Sequence, residues 1–378
     1  MKIIISLRHS EPMKRILALL CLLFFGLSLL AQESSTESAT FDASYFYGSI
    51  LVHNKDISHL VTGHPQGIIL SYNKKTFGNE RWEREFNYPD WGYSFIYQDG
   101  QNEFLGKNYG VFMHLNFYFL KRNLQLRLAQ GVSYNTNPFD LESNFKNNAY
   151  GSHLLITDNI ILNYSKENIF RNIGLQAGIT FIHYSNANAK APNTSTNTLA
   201  FNLGLKYTVG DEVSPEYIVD DSDGEYSEPI GYNFALRGGI NESDFINLGQ
   251  HPFFIVSAFA DKRVNFKSSW QLGIDFFYSK FLEKEIEYRS IAFPEDGIKG
   301  DEDFKRVGLF AGHEFHFNKF AINTQLGYYV YYPYDFEGRV YERLGLKYYF
   351  GKNLFAEASL KAHVAKAEAI EFGIGIRL

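Results

Sequence analysis

The sequence predicts an all-β protein, a transmembrane antiparallel β-barrel of about 14–16 strands. Three observations carry that expectation. Runs of about ten residues alternate between an apolar face and a face of Gln, Asn, Arg or Gly, as a lipid-facing and a wet surface require. The N-terminus has the form of an export signal. The last alternating run, "EFGIGIRL", continues to Leu378. Composition agrees: of 378 residues 45% are hydrophobic and 17% aromatic, with 26 Tyr, 35 Phe, 31 Gly and 10 Pro. Tyr, Phe and Gly at these levels, with few Pro, suit strands and tight turns. The mean hydropathy is slightly negative, which excludes a helical membrane protein. The formal net charge of -6 argues against nucleic acid as a partner.

Taken in order, "MKRILALLCLLFFGLSLLAQ" from Met13 has a basic start, an apolar run and small residues near Ala31. It predicts a signal peptide over residues 1–31, with 1–12 an extension from an upstream start and cleavage near Ala31–Gln32. The apolar run Ile16–Ala31 is short for a membrane span. Cys21, the single cysteine, would leave with the leader, so residues 32–378 would form one barrel domain without thiol chemistry. In "NYGVFMHLNFYFL", Tyr109, Val111, Met113, Leu115, Phe117 and Phe119 share one face, opposite Asn108, Gly110, His114 and Asn116. In "LQLRLAQGVSY", Leu124, Leu126, Leu128, Val132 and Tyr134 oppose Gln125, Arg127, Gly131 and Ser133. The same pattern recurs in "WQLGIDFFY" and "FAINTQLGYYVYY", and the count reaches roughly sixteen strands. The long acidic link Gly210–Gly231 reads as a solvated loop on the periplasmic side. Its "DDSDGE" lacks the first ligand of a calcium loop, Val219 standing there.

One run differs. Ile173, Leu175, Ala177, Ile179 and Phe181 are odd-numbered and apolar. The next two residues of that parity are His183 and Ser185, at the strand end, followed by an Asn-rich turn. On the returning strand Asn197 shares the face of Leu199, Phe201, Leu203 and Leu205. Three polar residues therefore sit on the lipid-facing side of two paired strands. Residues i and i+2 on one face have Cα atoms roughly 6.5–7 Å apart, a gap an imidazole can span to a hydroxyl. His can deprotonate Ser for acyl transfer, and Asn197 can fix the imidazole tautomer with its carbonyl. Asn186, Asn188 and Asn193 supply amides for an oxyanion. His and Ser suffice for this chemistry, so no metal and no cofactor is called for. With both termini periplasmic, this turn faces the cell exterior. The bland reading is that these residues merely sit at headgroup level. Lys361, His363, Glu368 and Glu371 read as a lumen charge network, and His114 and His316 as lumen or interface residues.

The stretch "FIHYSNA…PN…N" resembles the lipid A 3-O-deacylase family of PagL type, often labelled acyloxyacyl hydrolase. The resemblance implies an outer-membrane barrel that hydrolyses the ester-linked acyl chain at the 3 position of lipid A, with lipopolysaccharide of the outer leaflet as its partner. It implies His183 as base, Ser185 as nucleophile, and Asn186 and Asn193 as oxyanion residues. Asn197 falls where the family usually has Glu. The family's best-known members are eight-stranded and far shorter than this chain, so the resemblance leaves half of the strands without a stated purpose. A barrel that has lost activity, and a pore or transporter, are the competing classes.

Overall fold

The computed structural model describes residues 38–209, 216–219, 224–364 and 366–378. The predicted leader, Cys21 and most of the acidic run of the Gly210–Gly231 link lie outside them. Among the described residues there are sixteen antiparallel strands. They close as two barrels of eight, not one ring of sixteen. The first runs from β1 (Ala39–Leu51) to β8 (Thr196–Val209), and the second from β9 (Gly231–Asn241) to β16 (Lys366–Arg377). β1 pairs with β8 from Ala39↔Val209 to Leu51↔Asn197, and β16 pairs with β9 from Phe372↔Gly238 to Arg377↔Asn233. Strand number and order agree with the sequence; the single ring does not. The reason is that a period of two assigns a face to each residue and carries no information on where a sheet closes.

Ring size decides what the polar faces meet. An eight-stranded barrel is just wide enough for side chains to fill it, and here they do. In the first barrel Arg127 reaches Asp42 at 3.0 Å, Asn73 at 2.9 Å and Asn116 at 2.8 Å. His114 bonds Ser94 at 2.7 Å inside the same cluster. In the second, Arg343 meets Glu371 at 2.6 Å and Asp275 at 2.9 Å. Arg306 meets Glu368 at 2.6 Å, Lys361 also bonds Glu368, and His363 Nε2 lies 3.1 Å from the Tyr329 hydroxyl. His316 bonds Ser269 at 2.7 Å. The expected lumen network thus exists as a packed, ion-paired core. Each charge is offset by a partner rather than by water, as burial requires.

The outward residues are apolar: Phe41, Tyr45, Leu203, Phe234, Leu272 and Phe372 are all exposed, and Phe201 is 76% exposed. Links differ in length between the two ends, residues 75–89 being a long exception at the short-turn end. Residues 120–123, 171–172, 318–319 and 351–353 make short turns at one end. Residues 136–153, 186–195 and 280–305 make longer connections at the other, the last carrying the helix Lys280–Ala292. The barrels touch near both ends of their strands. At the short-turn end Lys267 Nζ lies 3.2 Å from Glu85, and the rings of Phe86 and Phe315 meet edge-to-face at 5.2 Å. At the long-loop end the contact runs through the turn that follows β7 (Ile173–Ser185).

Candidate active site

β7 sends Leu175, Ile179 and their odd-numbered neighbours outward. His183 continues that face near the strand end. Its partner across β8 is Asn197, and the two side chains meet, with His183 Nδ1 2.7 Å from Asn197 Oδ1. An amide oxygen only accepts, so the proton sits on Nδ1 and Nε2 is left as the basic nitrogen. The expected base and its orienter are therefore together.

Ser185 lies at the end of β7 and is 5% exposed. Its Oγ accepts the Ala187 N–H at 2.9 Å. The Asn193 amide lies against it, Oδ1 at 3.1 Å and Nδ2 at 3.0 Å. Among the described residues no hydrogen bond joins Ser185 to His183. Catalytic hydrogen bonds are often long in an unliganded site and tighten with substrate. The i, i+2 spacing keeps the hydroxyl within side-chain reach of Nε2.

The Asn-rich turn is built to hold that serine. Asn193 Oδ1 also accepts the Asn186 N–H at 2.9 Å. Asn186 uses its own side chain inside the turn, donating to Lys190 O at 2.6 Å and accepting the Asn188 N–H at 3.0 Å. Of the two expected oxyanion residues, Asn193 therefore touches Ser185 with its side chain, while Asn186 adjoins it through its backbone. The flanking loop holds the other side of the turn. Thr194 and Ser195 donate their N–H groups to Asn148 O and Ala149 O, both at 3.1 Å, and His53 Nε2 lies 3.0 Å from Thr194 O. Gly151 packs under the turn so closely that a Cβ there would stand 2.3 Å from Lys190 O and 2.6 Å from the Ala191 carbonyl carbon. Backbone must move to admit a methyl group. Gly151→Ala should therefore lower turnover about tenfold while leaving the barrels folded, since small misplacements at reacting atoms are costly. A steady-state assay of the purified variant checks this.

Two members of the site escaped the sequence analysis. Asp158, on β6 (Leu154–Phe170), stands directly across from His183. Gln130, on β5 (Leu124–Asn135), stands across from Asp158 and donates to its Oδ1 at 3.2 Å. Gln130, Asp158, His183 and Asn197 thus form one polar row over four neighbouring strands on an apolar outer face. The signal was present: Gln130 interrupts Leu124, Leu126, Leu128 and Val132, and Asp158 interrupts Leu154, Ile156, Ile160 and Leu162.

Residues 66–206, inside the first barrel, match the family model described as lipid A 3-O-deacylase (PagL). Residues 230–378, the second barrel, match the model described as acyloxyacyl hydrolase, C-terminal domain. Both barrels thus match PagL-type family models, the first the lipid A 3-O-deacylase and the second the acyloxyacyl hydrolase C-terminal domain. Among solved structures, that of the outer membrane enzyme PagL is 18% identical, covering 43% of this chain and 97% of that one, with a TM-score of 0.30. A mutant of Rh. blastica porin is 9% identical, covering 91% and 100%, with a TM-score of 0.19. No curated protein sequence matches the chain. Within the first barrel sits the whole polar row, and the family match to the second barrel accounts for the strands beyond the usual eight.

Proposed function

We propose that the chain is an outer-membrane lipid A deacylase that hydrolyses an ester-linked acyl chain with Ser185 as nucleophile and His183 as base. The observation that carries this is the His183–Asn197 pair, 2.7 Å apart, on the lipid-facing side of the first barrel beside a serine held in a dense amide turn. An ester at the headgroup boundary would meet these groups without crossing the barrel wall. The family matches support lipid A as the substrate class.

The steps follow from the geometry. Ser185 Oγ attacks the ester carbonyl carbon as its proton passes to His183 Nε2. Negative charge gathers on the carbonyl oxygen, and the Asn193 amide and the Ala187 N–H, which both donate to Ser185 Oγ in the free site, are the donors at hand to meet it. The intermediate expels the sugar oxygen, which takes the proton from His183, leaving an acyl-serine. Water then attacks the acyl carbon, its proton passing to His183, and Ser185 leaves protonated with the free fatty acid as product. Asn197 fixes the ring but cannot neutralise an imidazolium. Asp158, across the strand from His183, supplies that charge.

Mass spectrometry of lipid A from cells with and without the gene tests the reading, with a Ser185→Ala strain as control. Loss of one ester-linked acyl chain in the presence of the wild type alone supports it. An unchanged lipid A spectrum makes the barrel an inactive one. Ion-paired side chains inside two eight-stranded rings favour the enzyme over the pore reading.

The orientation has its own test. In the proposed topology the turn at residues 186–195 faces the cell exterior. Lys190 is exposed, so a Lys190→Cys variant should react on whole cells with an impermeant thiol reagent, and a Glu225→Cys variant in the link should not. The opposite pattern reverses the topology.

A further inference from the structure

The second barrel has no His-x-Ser sequence. Its histidines, His251, His313, His316 and His363, are followed two residues later by Phe253, Phe315, Asn318 and Ala365, so none begins a His-x-Ser. What it does have is a hold on the first barrel's serine turn. The loop between β9 and β10 (His251–Arg263) opens with Glu242, a carboxylate only 5% exposed. Its Oε2 accepts the Ala191 N–H at 3.1 Å and its Oε1 the Gly249 N–H at 3.1 Å. Its own N–H donates to Asn188 O at 3.0 Å, and its carbonyl accepts from Asn188 Nδ2 at 3.1 Å. At the far end of the same loop, Gln250 Nε2 donates to Ala189 O at 2.7 Å.

These contacts lead to the nucleophile. Asn188 gives its N–H to Asn186 Oδ1, Asn186 gives its N–H to Asn193 Oδ1, and the Asn193 amide lies on Ser185 Oγ. Four hydrogen bonds from the second barrel therefore fall on residues 188–191, three to six positions beyond the serine. Ten-residue loops left to themselves are mobile. Here one buried carboxylate accepts backbone N–H groups from two loops of different barrels, a charge-assisted contact stronger than a neutral one. We propose that the second barrel holds the catalytic turn, with Glu242 as the positioning residue that sets Ser185 through Asn188 and Ala191. This rests on Ser185 being the nucleophile.

The test uses the full chain in detergent micelles. Measure the rate at which a fluorophosphonate probe labels Ser185, together with kcat and KM for lipid A, in the wild type, Glu242→Ala, Glu242→Gln and Ser185→Ala. Heat-modifiable gel mobility reports whether the barrels are folded. In folded Glu242→Ala, labelling rate and kcat should fall together about 10- to 100-fold with KM within about twofold, the mark of a misplaced nucleophile rather than a lost binding contact. Glu242→Gln, which keeps one carbonyl acceptor, should recover part of both. Folded Glu242→Ala that labels and turns over at the wild-type rate overturns the proposal. Should Glu242→Ala not fold, Gln250→Ala at the loop's outer end decides: a slower labelling rate supports the hold, an unchanged one overturns it. A wild type labelled no faster than Ser185→Ala, with no turnover, removes the nucleophile assignment itself and this inference with it, a result distinct from an active wild type indifferent to Glu242.

Discussion

On the proposed mechanism, Ser185→Ala and His183→Ala should each reduce lipid A deacylation by about four orders of magnitude or more, to the background of the assay. Nucleophile and base act as one unit. Removing either leaves the other with nothing to do, so the two losses are similar and the double variant is scarcely worse. Neither change disturbs the barrels. His183 stands on the outer face with one side-chain hydrogen bond, to Asn197. Ser185 is small, and losing its hydroxyl removes only the bonds to the Ala187 N–H and the Asn193 amide in a turn held by several others. Purified variants should therefore keep the wild-type gel shift on heating while losing turnover. A Ser185→Ala protein that still strips lipid A at the wild-type rate removes Ser185 from the reaction. Asn197→Ala behaves differently. It frees the imidazole to rotate without removing it, so a partial loss is expected, smaller than that of either partner.

The sequence made the strand faces legible because a β-strand writes its environment with a period of two. Tyr109 to Phe119, Leu124 to Tyr134 and Ile173 to Phe181 all point outward as read. The same logic placed His183 and Asn197 on one outer face, and the structure brings their side chains together. Ring closure was not legible. β8 returns to β1 through a register of thirteen pairs, yet its outward row of Leu and Phe would look the same beside β9. Asp158 was hidden by a different cause. Counted back symmetrically from the short turn at Arg171–Asn172, it would fall opposite Ser185. A bulge between Lys166 and Phe170 shifts the pairing by two and sets it opposite His183. One inserted irregularity changes every partner beyond it while leaving each residue's face unchanged. Glu242 could not be found in this way at all. It lies in a polar loop, and its importance arises only where two barrels meet.

That bulge makes the second large effect predictable. Directly opposite residues on paired strands have Cβ atoms about 4.5–5.5 Å apart, so Asp158 and His183 are neighbours on the same face. Gln130 donates to one oxygen of the carboxylate at 3.2 Å, and among the described residues no hydrogen bond or ion pair joins Asp158 to His183, so the carboxylate acts on the ring as a nearby charge. In the proposed mechanism His183 becomes a cation on a surface with apolar neighbours, where an unpaired charge is strongly unfavourable. On β8 an amide, Asn197, stands across from His183, and the carboxylate of Asp158 stands on the strand at its other side. Asp158→Asn keeps the shape and removes the charge. It should lower kcat about 100-fold, with KM little changed, because the charge is needed only once the imidazolium forms. Asn197→Glu in that background returns an anion to the ring from β8 and should recover most of the loss. In the wild-type background Asn197→Glu adds little, since one negative charge already serves. The two positions should therefore be strongly non-additive in a double-mutant cycle. Additive effects at Asp158 and Asn197 would mean that the aspartate acts on something other than His183, and that the polar row across β5 to β8 is a headgroup-facing stripe with only two catalytic members.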